Sequence, residues 1–477
     1  MNVRRPVVPL LAGGALLLAG AAGPRATAGG QKKPAPAVTT RVKPIVYRDR
    51  TLPNGLRVLS AQDRTNPTVA IQVWYHVGSK DDPAGRSGFA HLFEHLLFKK
   101  TKNMKDEMLD RLTEDVGGEN NAYTSDDVTV YHETVPSNYL ETLVWAEADR
   151  MASLIVDDAN FASERDVVKE EYRQGVLAPP YGKLGVLINA KSFAVHPYKR
   201  DTIGNIEELN AARLDNVRAF HRTFYRPDNA TLVVVGDFEQ AKLDAWVDKY
   251  FGRVPKPGTP LPRVMVKEPP RQQTRRHVEY GANVPLPAVA ITYLAPPVSS
   301  ADAFALQVAE TILSGGESSR LQQSLVYEQQ LAQSAYAYGS LREDLGLLVM
   351  SATLASGKKP EAGERALLAE LKKMMDKPVS APELAKAKNL LLADALGQRE
   401  TNEGKADALG DAAVLLGNPA RANTDLARLQ AVTAADVQRV LRKYFAGAAA
   451  KPVVIYYLPE TMRPKTNKKA EKGGSGR

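Results

Sequence analysis

The pentad Pro-x-Val-Ala-Ile occurs twice, in NPTVAIQVWYHVGS from residue 66 and in LPAVAITYLAPPVS from residue 286, an offset of 220 residues. Both stretches are β-branched and apolar, and each leads through a polar turn into a helical pattern. Between them lies VPKPGTPLPRV (254–264), whose four prolines break any regular element. A chain cut into two parts of similar length, each opening on the same strand motif, reads as a duplicated unit. Both parts mix strand-like runs (ATLVVVGDF, PVVIYYLP) with helical ones (YLETLVWAEADRMASLI, PEAGERALLAELKKMM), without strict strand–helix alternation. The expectation is an α+β fold of two homologous domains, each a mainly antiparallel sheet packed with helices.

The copies differ chemically. All seven histidines (His76, His91, His95, His132, His196, His221 and His277) fall at or before 277, so imidazole chemistry belongs to the first copy. Two of them sit in SGFAHLFEHLLFKK (87–100), a helix apolar almost all round, as buried helices are. His91, Glu94 and His95 stand at i, i+3 and i+4, on one helical face. Burying them unpaired costs several kcal/mol. A cation gripped by the two imidazoles removes that cost, and Glu94 beside it can act as a general base. The alternative is that the histidines hydrogen-bond in the core while Glu94 pairs with a lysine such as Lys99. A third ligand would come from FASERDVVKEEYRQ (161–174). There Glu164 and Glu171, seven apart, share a face, so that one can ligate while the other supports, and Glu170 points elsewhere.

Composition sets the surroundings. MNVRRPVVPLLAGGALLLAGAAGPRATAGG carries Arg4 and Arg5 before an apolar run and Ala26-Thr27-Ala28 near its end, a secretory leader pattern with cleavage after Ala28. An uncleaved N-terminal anchor is the alternative. The expected address is periplasmic or secreted, with no stable membrane insertion after cleavage. With no cysteine, disulfides, thiolate metal sites and a cysteine-lipidated lipoprotein are excluded, leaving His, Asp and Glu as ligands. The formal charge of +9 resides in the leader, in Lys32 and Lys33, and in the tail from Glu460; the body between is neutral, which argues against nucleic acid.

His91-x-x-Glu94-His95 with a glutamate 76 residues after His95 resembles the inverted zinc signature of the pitrilysin/insulinase metallopeptidases, the family that includes the mitochondrial processing peptidase. GGENNAYTSDDVTVYHETVP, ERDVVKEEYR, HPYKRDTIG and FYRPDNATLVVVGDF follow in that family's order, so the resemblance covers roughly 45 to 460. It implies one Zn²⁺ per chain held by His91, His95 and Glu171, with Glu94 as catalytic base and Glu164 as a supporting carboxylate. Asn121 and Ala122 match an edge strand on which a substrate peptide lies as an added strand. The resemblance also implies that the two domains form a half-shell.

One feature of the family is missing. An Arg and, seven residues on, a Tyr that steady the developing oxyanion align with Val326 and Gln333, while Arg320, Tyr336 and Tyr338 stand at other offsets. Some bacterial members heterodimerise, a zinc-less sister supplying the Arg/Tyr pair, and that partner is expected here. The function so implied is a zinc endopeptidase acting on small or unfolded peptides in a closed chamber, as the zinc-bearing subunit. A scaffold subunit that keeps the peptidase fold is the second reading, and a peptide-binding protein the third. The expected organisation is a signal peptide (1–28), a linker (29–44), a zinc-binding domain (45–255), a proline-rich linker (256–265), a homologous domain without metal (266–459) and a basic tail (460–477).

Overall fold

The computed structural model describes residues 42–447 and 450–464. The expected leader, the linker up to residue 41 and the tail beyond 464 lie outside the described residues. No helix among the described residues is long and apolar enough to cross a membrane.

Among the described residues, eleven strands form two sheets. The first contains β1 (Arg48–Thr51), β2 (Arg57–Gln62), β3 (Thr68–Tyr75), β4 (Glu119–Thr124), β5 (Thr129–Pro136) and β6 (Ala230–Gly236), in the order β1-β2-β6-β3-β5-β4. The second contains β7 (Arg275–Gly281), β8 (Ala288–Ala295), β9 (Ala332–Ser340), β10 (Gly346–Leu354) and β11 (Val453–Pro459), in the order β7-β11-β8-β10-β9. Apart from the additional β1, the wiring is the same. β3 lies between β6 and β5 as β8 lies between β11 and β10, all antiparallel, and β2–β6 and β7–β11 are the single parallel pairs. The repeated Val-Ala-Ile occupies the central strand of each sheet. The chain is therefore α+β, with two mainly antiparallel sheets flanked by helices.

Alternation within the central strands divides each sheet's faces. Val69, Ile71, Val73 and Tyr75 of β3 pack with Phe89, Leu92, Phe93 and Leu96 in one core. Ala70 and Trp74 point the other way and meet Ala406, Leu409, Ala412 and Ala413. Those three alanines and one leucine belong to the Asn402–Val414 helix of the second half. The reverse also occurs. Leu184 and Ile188 of the Gly182–Ser192 helix, with Phe193 and Tyr198, cover Ala290, Val349 and Ile455 on the second sheet. Each half thus covers a face of the other's sheet. Burying a Leu, Ile or Phe is worth roughly 1.5–3 kcal/mol, so separating the halves would forfeit several such contributions. The proline-rich stretch 256–265 has neither helix nor strand, but the cores on its two sides interlock.

Candidate metal centre

The motif helix, α1 (Phe89–Leu96), is two turns long and buried at all eight residues. Gly88 starts it at φ 92°, where a Cβ would stand 2.7 Å from the carbonyl oxygen of Ile203, so no other residue fits comfortably. The first turn's free donors are met from upstream: the Asp82 carboxylate accepts from the backbone N–H of Gly88 at 2.6 Å and of Ala90 at 2.9 Å. Phe93 fixes the rotation of the helix by stacking on Phe220 at 5.7 Å, and its carbonyl accepts the Tyr131 hydroxyl at 2.8 Å.

With the apolar side anchored, His91, Glu94 and His95 share the remaining face. The imidazoles lie 5.0 Å apart, centroid to centroid, at 75°. Glu171 approaches them from the last turn of the Asp158–Tyr172 helix. Its Oε2 is 3.8 Å from His91 Nε2 and 3.4 Å from His95 Nε2. Glu164, two turns earlier, meets the other ring atom: its Oε2 is 3.5 Å from His95 Nδ1, and its Oε1 is 3.1 Å from Lys99 Nζ. Lys99 therefore serves Glu164, not Glu94. Glu170 faces outward to Arg173 and Gln174.

His91, His95 and Glu171 each offer a ligand atom, all within 4.8 Å of one another. His91 Nδ1 and both ring nitrogens of His95 are buried without a hydrogen-bond partner of proper geometry. Leaving such an atom unmet costs about 1–3 kcal/mol. Two buried imidazoles with unpartnered ring nitrogens and a half-buried carboxylate are a donor set that Zn²⁺ takes, and the residues fit it. Burial and the neighbouring His95 push the His91 imidazolium down to about 3. For His95 burial also opposes protonation, but the carboxylates of Glu164 and Glu171 overcome it and raise the value to about 9. Despite burial, His95 keeps Glu164 and Glu171 below the usual carboxylate range.

Glu94 stands at the rim of the set, its Oε2 3.9 Å from His91 Nε2. Burial raises its pKa, against the pull of a hydrogen bond from Thr124 Oγ1 at 2.7 Å. Thr124 was not among the residues the sequence pointed to. Strand alternation carries the signal, since Asn120, Ala122 and Thr124 share the face turned towards α1. Asn121 and Ala122 lie on β4, the edge strand of the first sheet, opposite His132 and Tyr131 of β5. Asn121 Oδ1 accepts from the Ala122 N–H at 2.9 Å. Val326 is half-buried in the second half, in the irregular helical turn Gln322–Glu328, and Gln333 is exposed on β9. Arg320 is bound to Glu383 at 2.7 Å, and Tyr336 stacks on Tyr338 at 6.1 Å.

Comparison with known proteins follows the same division. Residues 57–203 match the model described as Insulinase (Peptidase family M16), and residues 211–391 match the one described as Peptidase M16 inactive domain. The zinc protease PqqE of Helicobacter pylori is 31% identical over 408 residues, spanning 85% of this chain and 91% of that protein. A probable mitochondrial-processing peptidase subunit beta of Arabidopsis thaliana is 25% identical over 406 residues, 83% of this chain and 76% of that one. The crystal structure of a protease from Helicobacter pylori superposes with a TM-score of 0.83 at 29% identity, covering 87% of this chain and all of the other.

Proposed function

Because the chain belongs to the insulinase family, peptidase family M16, we propose that it is a zinc-dependent endopeptidase with His91, His95 and Glu171 as ligands and Glu94 as general base. The observation that carries this reading is the set of three ligand atoms within 4.8 Å, two of them on buried imidazoles, with a fourth ionisable group at its rim. When bound, zinc supplies a Lewis acid that polarises the scissile carbonyl and acidifies a water molecule. Glu94 takes the proton from the attacking water on its carboxylate and returns it to the leaving amine nitrogen. Thr124 holds Glu94 Oε2. Glu164, its Oε2 3.5 Å from His95 Nδ1, would orient the ring so that Nε2 faces the site. The edge strand β4, at Asn121 and Ala122, takes an extended peptide by main-chain pairing, which recognises backbone ahead of side chains.

The proposal extends to a partner. Val326 and Gln333 supply no cationic or phenolic donor for a developing oxyanion, and such donors are typically worth ~10²–10³ in rate. A homologous subunit bringing an Arg/Tyr pair completes the site and closes a chamber around small or unfolded peptides; one relative is itself named as a subunit. The leader pattern supports export to the periplasm or beyond.

A scaffold role is favoured only by that missing pair. One experiment separates the two: peptide hydrolysis and zinc content of the purified chain, alone and co-expressed with a homologous partner, for wild type and Glu94→Gln. The expected result is stoichiometric zinc in both proteins, and turnover with the partner that Glu94→Gln abolishes. Zinc-free protein, or Glu94→Gln with near-full activity, defeats the peptidase reading, and full activity of the chain alone defeats the partner.

A further inference from the structure

The second half has no histidine after His277, yet it reaches the neighbourhood of Glu94 by a defined route. Thr124, which binds Glu94 Oε2, is the last residue of β4, and the turn 125–128 follows it directly. That turn is clamped from both sides. From the first half, the backbone N–H groups of Ser79 and Lys80 donate to the carbonyls of Ser125 and Asp126, each at 3.0 Å. Gly78 lies so close that a Cβ would stand 2.4 Å from the Asp126 carbonyl carbon. From the second half comes the turn joining β9 to β10. Arg342 Nε donates to Asp126 Oδ2 at 2.6 Å, and the Glu343 backbone N–H donates to Asp127 Oδ2 at 3.0 Å. Lys80 Nζ ties the two turns together, 2.9 Å from Asp127 and 2.6 Å from Glu343.

By the wiring of the sheets, the β4–β5 and β9–β10 turns are equivalent parts of the two copies. They meet tip to tip. The contact is buried: Lys80, Asp127 and Arg342 are 7%, 4% and 6% exposed. Charges held this far from water interact strongly and tolerate little displacement, because a broken pair leaves an uncompensated ion. A general base has to be held within about half an ångström of its working place.

We infer that Arg342 and Glu343 are positioning residues for Glu94, acting through the 125–128 turn and Thr124. This rests on the peptidase reading above. The half without metal ligands sets the height of the edge strand and the reach of the Thr124 hydroxyl, so its contribution to catalysis is geometric. A peptide paired on β4 and the base that serves it are then aligned by one and the same clamp.

The test uses the full chain in its zinc-loaded, peptide-hydrolysing assembly, with Thr124→Val, Thr124→Ser, Arg342→Met and Arg342→Lys. Steady-state kinetics on an internally quenched peptide are read beside amide hydrogen exchange over 119–130. Losing a hydrogen bond to a charged group is worth roughly tenfold or more. Thr124→Val is expected to lower kcat by about tenfold with KM unchanged within about twofold, and Thr124→Ser to recover most of it. Arg342→Met gives the same split, with faster exchange concentrated in 119–130, and combined with Thr124→Val it is no worse than the stronger single variant. If Arg342→Met does not fold, Arg342→Lys, which keeps the charge but not the planar fork, makes the same comparison. An active wild type with Arg342 variants at normal kcat, or with exchange unchanged in 119–130, overturns the inference alone. A Thr124→Ser that fails to rescue does so too. A wild type that binds no zinc and cleaves nothing overturns the peptidase reading and the inference with it.

Discussion

On the proposed zinc reading, three glutamates of one helix divide into ligand, support and bystander, and their substitution by glutamine ranks them. Glu164 meets His95 only through Nδ1, at 3.5 Å, the ring atom turned away from the site. Glu164→Gln therefore removes orientation and basicity from a ligand but no ligand atom. Losses of that kind run 10–100-fold in metal affinity, about 1.4–2.7 kcal/mol. Glu171 is 3.4 Å and 3.8 Å from the two Nε2 atoms, so Glu171→Gln removes the anionic donor itself and is expected to exceed the hundredfold loss. Glu170 spends its carboxylate on Arg173 and Gln174 at the surface, and Glu170→Gln is expected to match wild type. Zinc dissociation constants from competition with a chromophoric chelator, at fixed pH and salt, give the order, with circular dichroism as the check on folding. The reasoning is refuted if Glu164→Gln is as damaging as Glu171→Gln, or if Glu164→Gln binds zinc like wild type.

Two further predictions address the frame around the site. A Cβ at Gly410 would stand 2.1 Å from Trp74 Cε2, and Trp74 is fully buried, so Gly410→Ala forces helix and sheet apart. Overpacking of this kind costs roughly 1–3 kcal/mol or more; the expected outcome is a lower urea midpoint with both halves unfolding together by tryptophan fluorescence and far-ultraviolet dichroism, and wild-type stability would show that the helix does not rest on the indole. In the second half, Asp302 binds Arg439 at 2.8 Å and Lys443 at 2.7 Å, and although burial opposes ionisation these cations, with Tyr444, lower its pKa to about 2. A carboxyl depressed in the folded state stabilises above its unfolded value and loses that contribution as pH falls through the folded one. Asp302→Asn should therefore cost about 1–2 kcal/mol at pH 7, discounted for half-exposed cations, and the difference should close between about pH 4 and pH 2. A gap in melting temperature that is independent of pH would contradict this.

Much of the candidate site was legible in the sequence because helix geometry is local. Spacings of three and four put His91, Glu94 and His95 on one face whatever the rest of the chain does, and a spacing of seven does the same for Glu164 and Glu171. Strand alternation and the repeated Val-Ala-Ile likewise announced two sheets of one design. Which of the two glutamates faces Nε2 and which faces Nδ1 depends on how one helix lies against another, and no spacing within either helix encodes that. Thr124 reaches Glu94 from a strand thirty residues on, Arg342 reaches Asp126 across 216 residues, and the Asn402–Val414 helix crosses to the first sheet. Contacts of that span exist only after both sheets have paired and each has taken the other half's helix onto its face. The sequence thus determined the chemistry a short helix can offer, and the tertiary structure decided which distant groups hold it in place.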